Sequence, residues 1–358
     1  MQNLISILMC VYNTNVKYLD ESIESIINQT YGKFEFVIVD DGSNSQDTLK
    51  CLDDWAQKDP RIILVKNNNN LGLTKSLNIG IRRCKGEYIA RMDADDVSSA
   101  DRIEKQLNYL ESHEDVALVG SRIACFGDNV PDANADSDGN GLRDMNLYHV
   151  RALICHPGPA HPTFMFRASF LQENNIQYNE LIKKGQDYGI IADILQHGGK
   201  IATIDEPLLQ YRVHDGQITS TSEIEQLLYQ SATSYKYLKA MFNNLSDEEC
   251  AVLSTLGWYV EGNQILGKLE NNKDIALVCE HLIKYKDSLE KPGIYISGIR
   301  KLLIENEKKN LFNQRELVAE MRSRWWKKAV RISKLYHKPW GMTIYTICSY
   351  IHVLKRRQ

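Results

Sequence analysis

Apolar residues in the first 120 positions follow two alternating rhythms. The runs Leu4–Val11, Phe34–Val39, Ile62–Val65, Glu87–Met92 and Val116–Gly120 are nearly continuous in Ile, Val, Leu, Phe and Met. Such runs suit strands covered on both faces. Between them, Lys17–Gln29, Asp47–Lys58, Leu73–Arg83 and Asp101–Ser112 repeat apolar residues three and four apart, the spacing of one helix face. The alternation, with short connections, predicts an α/β fold: a mostly parallel sheet with helices on both faces. Phe126–Asn146 breaks the pattern with Gly, Asn and five Asp. Ala160–Arg212 returns to mixed structure, with a strand at Thr163–Phe166, a helix at Asp187–Gln196 and a strand near Pro207–Tyr211. From Glu223 to about Met321 the spacing is helical.

Composition narrows the class. At 358 residues, 43% hydrophobic and 25% charged, the chain reads as globular, with one large domain and an appendage. The formal charge of −3 hides a gradient. Arg322–Gln358 holds ten Lys/Arg and no acid, so the other 33 Lys/Arg face all 46 Asp/Glu, a balance of −13. The eight cysteines are scattered, with no C-x-x-C pair, which favours a reduced, cytoplasmic protein. The N-terminus enters a strand at once, so no signal peptide is expected. No apolar run reaches the roughly 18–20 residues that span a bilayer.

Candidate chemistry sits where strands end. Tyr88–Asp96 (YIARMDADD) runs from an apolar strand into Asp93, Asp95 and Asp96. Ligands of open α/β sheets bind at that edge, and clustered carboxylates repel unless a cation joins them. Oxygen ligands suit a hard ion, Mn²⁺ or Mg²⁺, of the kind that accompanies a diphosphate. In isolation a D-x-D tripeptide is more often a surface turn with an acidic helix start. The second strand ends likewise, in Asp40-Asp41-Gly42-Ser43, so both acidic clusters should share one edge. There a carboxylate can accept from a base N–H or a ribose hydroxyl, and Gly42 permits a sharp turn. Asn70–Asn78 leads into a helix whose start, or Lys75, could meet a phosphate. Asp136-x-Asp138-x-Asn140-Gly141, with Asp144, resembles the front of a calcium loop. Leu147 stands where the bidentate Glu belongs, so a mobile acidic loop across 132–144 is the better reading.

The ordered set VYN (Val11–Asn13), QT (Gln29-Thr30), FEFVIVDDGS (Phe34–Ser43), NLGLTKSLNIGI (Asn70–Ile81) and GEYIARMDADD (Gly86–Asp96) resembles bacterial family 2 glycosyltransferases. The resemblance spans about residues 4–215, and the set is far more specific than any one motif. It implies the GT-A fold, a Rossmann-like nucleotide-sugar domain. It also implies a metal-dependent, inverting hexosyltransferase that uses a UDP-sugar donor (Glc, Gal or N-acetylhexosamine). Its acceptor would be a lipid-linked or oligosaccharide hydroxyl, in synthesis of O-antigen, capsule or another surface polysaccharide. By the same resemblance Val11, Tyr12, Asn13, Asp41, Asn70, Gly72, Lys75, Arg91, Asp93 and Ala94 line the nucleotide-sugar pocket, with Asp41 at the uracil contact. Asp95 ligates the metal. Gly185-Gln186-Asp187-Tyr188 resembles the family's E-D motif with Gln for Glu, which makes Asp187 the catalytic base; alone, it would read as a helix-start residue. Tyr211-Arg212-Val213-His214 resembles a Y-R-x-H segment whose His can complete the metal shell or contact the phosphates. His161 and Arg167 match a segment lining the acceptor side.

These readings divide the chain into a catalytic domain at 1–215, a helical region at 216–321 and a basic tail at 322–358. In the tail Arg322, Arg324, Lys327, Lys328, Arg331, Lys334 and Lys338 are interleaved with Trp325, Trp326, Leu335, Tyr336 and Trp340. That mixture suggests an amphipathic segment on an anionic membrane surface, peripheral at the inner face of the cell membrane. Nucleic acid is disfavoured, because the remaining chain is acidic and no binding module is visible. Tyr and Leu of the helices could support a homodimer, and core packing explains them equally well. Two other classes compete: a non-catalytic sugar-nucleotide or glycan-binding protein, and a nucleotidyltransferase. The latter would carry a Gly-rich basic loop where this chain has Tyr12-Asn13-Thr14-Asn15.

Overall fold

The computed structural model describes residues 3–127, 159–182, 184–214 and 223–241. The acidic loop 132–144, the helical region beyond Met241 and the basic tail lie outside the described residues. The strands are β1 (Ile5–Val11), β2 (Phe34–Asp40), β3 (Ile62–Lys66), β4 (Tyr88–Asp93), β5 (Val97–Ser98), β6 (Val116–Gly127), β7 (Met165–Arg167) and β8 (Lys200–Val213). Their order in one sheet is β3-β2-β1-β4-β7-β6-β8-β5. The helices are α1 (Val16–Ile27), α2 (Gln46–Lys58), α3 (Leu73–Arg83), α4 (Arg102–Ser112), α5 (Ala168–Glu173), α6 (Gln186–Gln196) and α7 (Glu223–Met241). Helix α7 opens a second compact unit. None of the described helices is long and apolar enough to cross a membrane.

The first four strands pair in parallel in the order β3-β2-β1-β4. Period two sorts their side chains onto two faces. Ile5, Ile7 and Met9 of β1, Phe36 and Ile38 of β2, and Ala90 and Met92 of β4 form one core. Leu19, Ile23 and Ile26 of α1, Leu52 and Trp55 of α2, and Ile103 and Leu107 of α4 complete it. Leu8, Val37 and Val39 face the other way and are also buried. Over that second face α3 lies close: a Cβ on its Gly80 would stand 2.1 Å from Leu8 Cδ1. Each Ile or Leu so covered is worth about 1.5–3 kcal/mol.

Three of the expected strands differ in extent from the sequence expectation. Pro162 turns His161–Thr163 into a 3₁₀ turn, which delays strand β7 to Met165. That strand runs antiparallel to both neighbours, β4 and β6. Strands β6 and β8 are longer than their apolar runs, pairing in parallel from Val116↔Lys200 to Gly127↔Val213. Pro207 interrupts β8 because it has no N–H to give the ladder. The register shifts there, from Ser121↔Ile204 to Arg122↔Pro207, as expected of Pro at a bulge.

Candidate active site

Strand register brings the two acidic clusters together. Val11 of β1 lies opposite Asp40 on one side, and Cys10 lies opposite Asp93 on the other. Both carboxylate turns therefore flank the C-terminal end of β1, about two strand spacings, roughly 10 Å, apart.

Local polar groups fix each turn. Asn13 has φ +49°, a left-handed conformation that Asn tolerates. Its Oδ1 accepts from the N–H groups of Asn44 (2.9 Å) and Ser45 (3.0 Å), while its own N–H donates to Ser43 Oγ (3.0 Å). The β1–α1 and β2–α2 loops are thereby one unit. Gly42 has φ +71°, and a Cβ there would stand 2.4 Å from the Asn69 backbone, so the loop before α3 lies directly on it. Asp41 is 3% exposed. Its Oδ1 accepts from Asn67 Nδ2 and Leu71 N–H, and its Oδ2 from Gly72 N–H, each at 2.9 Å. The carboxylate thus seats the start of α3. Tyr12, 47% exposed, stands in the β1–α1 loop, Asn70 in the loop before α3, and the exposed Lys75 in the first turn of α3. Val11 and Ala94 instead turn their side chains into the core.

The Asp93–Asp96 turn is held on two sides. From α1, Ser22 Oγ donates to the Asp93 carbonyl (2.8 Å), and Ser25 Oγ accepts from Ser98 N–H (3.0 Å). Gln29 Nε2 donates to the Ser99 carbonyl (2.7 Å), while its Oε1 accepts from Ile103 N–H (3.1 Å). From β8, Arg212 Nε donates to the Asp95 carbonyl (2.7 Å), and Arg212 N–H donates to Asp96 Oδ1 (2.9 Å). The Arg212 guanidinium lies between the rings of Tyr18 (4.2 Å) and Phe126 (4.4 Å) and pairs with Glu21. Two residues on, His214 Nε2 comes within 3.1 Å of Asp95 Oδ2. Composition and spacing gave no sign of the Ser22, Ser25 and Arg212 roles. The available signal was Ser22 and Ser25 at helical spacing toward the buried side of α1, with Gln29 just past its end.

Arg91 works from beneath. Its side chain is 4% exposed against 30% for Asp93, and its two terminal nitrogens grip the Asp93 carboxylate. The sequence placed Arg91 against ligand; the structure gives it to Asp93. Burial and the neighbouring Asp95 push the Asp93 carboxyl upward, against the pull of Arg91. Asp96 is fully buried, with Oδ2 lacking a hydrogen-bond partner among the described residues. Burial, Asp93 and Asp95 drive its carboxyl well above the usual range. Ligand oxygens of Asp93, Asp95 and Asp96 all lie within 4.8 Å of one another. An orphaned buried oxygen, mutual repulsion and an adjacent imidazole are what a bound cation would relieve, and the donor set fits Mn²⁺ or Mg²⁺.

Asp187 enters from the first turn of α6. Burial raises its carboxyl above the usual range, opposed by the Tyr188 N–H and by the charge of Arg91. Its charge is felt at both Asp93 and Tyr178, so it belongs to the same basin. His161 is buried, with Nε2 2.7 Å from the Tyr178 hydroxyl. Burial and Arg91 hold that imidazole well below its ordinary pKa, hence neutral. Arg167 is a correction. It lies opposite Tyr88, at the far end of β4 from Asp93, about 16 Å away at 3.3 Å per residue. Its guanidinium donates to the carbonyls of Val116, Leu110 and His113 and to the Tyr88 hydroxyl. It ties β7 to the end of α4 and does not line the acceptor side.

Comparison with known proteins gives the family and the fold. Residues 6–173 match the family model described as glycosyl transferase family 2. An uncharacterized glycosyltransferase of Methanocaldococcus jannaschii is 33% identical over 247 residues, 67% of this chain and 80% of that one. The O-antigen biosynthesis glycosyltransferase WbnJ of Escherichia coli is 30% identical over 240 residues, 65% of this chain and 87% of that one. Among solved structures, S. aureus TarS in complex with UDP-GlcNAc superposes with a TM-score of 0.57 at 17% identity, covering 87% of this chain and 93% of that one. The shared fold is GT-A.

Proposed function

Because this chain belongs to glycosyl transferase family 2, we propose that its carboxylate basin moves a hexose from a UDP-sugar to an acceptor hydroxyl, with inversion. The observation that carries this reading is the convergence of Asp41, the Asp93–Asp96 cluster and Asp187 at one sheet edge. Asp41 has one Oδ2 lone pair left for a base N–H, and the exposed ring of Tyr12 follows the end of the neighbouring strand β1. Asp93, oriented by Arg91, faces the ribose and sugar. Asp95, with Asp96 and His214, would hold Mn²⁺ or Mg²⁺. When bound there, a divalent cation offsets the charge developing on the departing diphosphate. Asp187 accepts the proton of the acceptor hydroxyl as its oxygen attacks C1 of the sugar from the face opposite UDP. A carboxylate pushed up by burial is a stronger base than a solvated one. The acceptor is a lipid-linked or oligosaccharide glycan of surface polysaccharide synthesis, a reading supported by the O-antigen relative.

The test is a screen of UDP-sugars with Mn²⁺, following UDP release with and without lipid-linked acceptor. Acceptor-stimulated release with at least one sugar is expected. Absence of release with every sugar would remove the reading.

Arg212 gives a second check. Arg212→Lys removes the Nε donor to the Asp95 carbonyl and the planar group between Tyr18 and Phe126. A charge-assisted hydrogen bond is worth about 1.5–3 kcal/mol, so metal-dependent UDP affinity should fall roughly 10- to 100-fold. Calorimetry showing wild-type affinity would contradict it. For the basic segment 322–358, vesicle flotation of the full chain against a chain ending at residue 321 should show anionic-lipid binding only for the former. Equal recovery of both in the unbound fraction would remove the membrane reading.

A further inference from the structure

Helix α3 carries two polar side chains that the donor site does not use, and both are buried. Asn78 Nδ2 donates to the Tyr178 carbonyl (2.8 Å), and Asn78 Oδ1 accepts from Tyr178 N–H (2.9 Å). One amide therefore satisfies both backbone groups of a single residue, as a neighbouring strand would. One turn earlier, Thr74 Oγ1 donates to the Ile182 carbonyl (3.1 Å). The segment so pinned leads directly to α6. Ile182 is buried, and its Cδ1 lies 3.1 Å from where a Cβ on Gly189 would be, so it seats against α6 two residues after Asp187. Tyr178, held at its backbone by Asn78, turns its hydroxyl to His161, where that hydroxyl feels the charges of Arg91 and Asp187. The opposite attachment of α3 is Gly72 N–H on Asp41. A single rigid helix thus spans the nucleotide side and the segment that carries Asp187.

We propose that Thr74 and Asn78 are positioning residues that hold Asp187 at the distance and angle needed to take the acceptor proton. The proposal rests on the reading of Asp187 as the base. Neither residue touches substrate. Both act through the 178–182 segment and its seat on α6. Loss of either leaves the sheet and the Asp93–Asp96 turn intact but lets the start of α6 move, and misplacement near 1 Å is enough to slow a reaction about 100-fold.

The test compares Thr74→Val, which is isosteric and deletes only the hydroxyl, with Thr74→Ser, which keeps it, and with Asn78→Ala. For each, kcat, donor KM, UDP affinity with Mn²⁺ and the pH profile of kcat are measured. Thr74→Val is expected to lower kcat about tenfold and Asn78→Ala up to about 100-fold, with UDP affinity at the wild-type value and Thr74→Ser restored. The acid limb of kcat should also shift to lower pH, because a loosened Asp187 is better hydrated. Wild-type turnover in both Thr74→Val and Asn78→Ala overturns the proposal. So does a fall of kcat and UDP affinity together, with Thr74→Ser no better than Thr74→Val and the acid limb unmoved. Asp187→Asn separates this from the reading beneath it. An inactive Asp187→Asn beside normal Thr74→Val and Asn78→Ala leaves the base in place and removes only the positioning role. A fully active Asp187→Asn removes both.

Discussion

Replacing Asp187 with Asn is expected to lower kcat by about 10³-fold, within the range general-base groups supply, while UDP binding with Mn²⁺ stays at its wild-type value. The change is isosteric. Asn Oδ1 can still accept from the Tyr188 N–H that Asp187 uses, so the start of α6 should hold its shape. What is lost is the lone pair able to carry away a proton. The wild-type enzyme should show the same group in its pH profile. Burial raises the folded pKa of Asp187, so the active, ionised form is present above that value and is lost as pH falls through it. The acid limb of kcat should therefore lie above the ordinary Asp value of about 3.9. UDP binding should instead follow the Asp93–Asp96 cluster, whose raised carboxyls protonate as pH drops. A kcat that stays flat down to about pH 4 would contradict the assignment, as would normal turnover by Asp187→Asn.

Asp95→Ala should abolish metal-dependent UDP binding. Even residues that only support a metal ligand typically cost 10- to 100-fold in affinity, so losing a ligand should cost at least about 100-fold. The Asp95 backbone carbonyl keeps its bond from Arg212, so the turn itself should survive. Stability provides an independent readout. Asp95 raises the carboxyls of both Asp93 and Asp96 by repulsion, so its removal relieves strain that the metal-free protein carries. The variant's melting temperature without metal should be no lower than wild type, and the rise that Mn²⁺ with UDP gives wild type should vanish. Chelating the metal from wild type should reproduce the variant's weak binding. Retention of Mn²⁺-dependent UDP binding by Asp95→Ala would exclude Asp95 as a ligand.

Position within strands explains why so much of the basin could be read in advance. Asp40 and Asp93 end nearly continuous apolar runs, and a parallel sheet with crossover helices puts all such ends on one edge. The resemblance added Asp187 and His214, which no spacing rule connects to residue 93. What failed to show were contacts made by groups with ordinary local explanations. Arg91 and Arg167 look alike in sequence, each a basic residue in or just after a short apolar strand. One supports Asp93 at the C-terminal edge, and the other closes the end of α4, because β7 runs antiparallel to β4 and reverses the sense of position. His161 looked available to substrate, yet Pro162 and the 3₁₀ turn carry it inward onto Tyr178. Strand β8 was read only near Pro207–Tyr211; its earlier part, from Lys200, becomes a strand through its pairing with β6.

The residues in order were enough to determine the alternating sheet and helices, the edge at which acidic turns gather and the family whose motifs they form. Hydrophobic period and strand-end chemistry are local properties, written in neighbouring residues. Folding in three dimensions alone decided which charges are buried, which carboxylate each arginine serves and how Asp187 is held near Asp93 from about a hundred residues away. Desolvation and hydrogen bonding depend on what packs around a group, and those neighbours come from α1, α3, β8 and the 174–182 segment, distant in the chain and adjacent only once it folds.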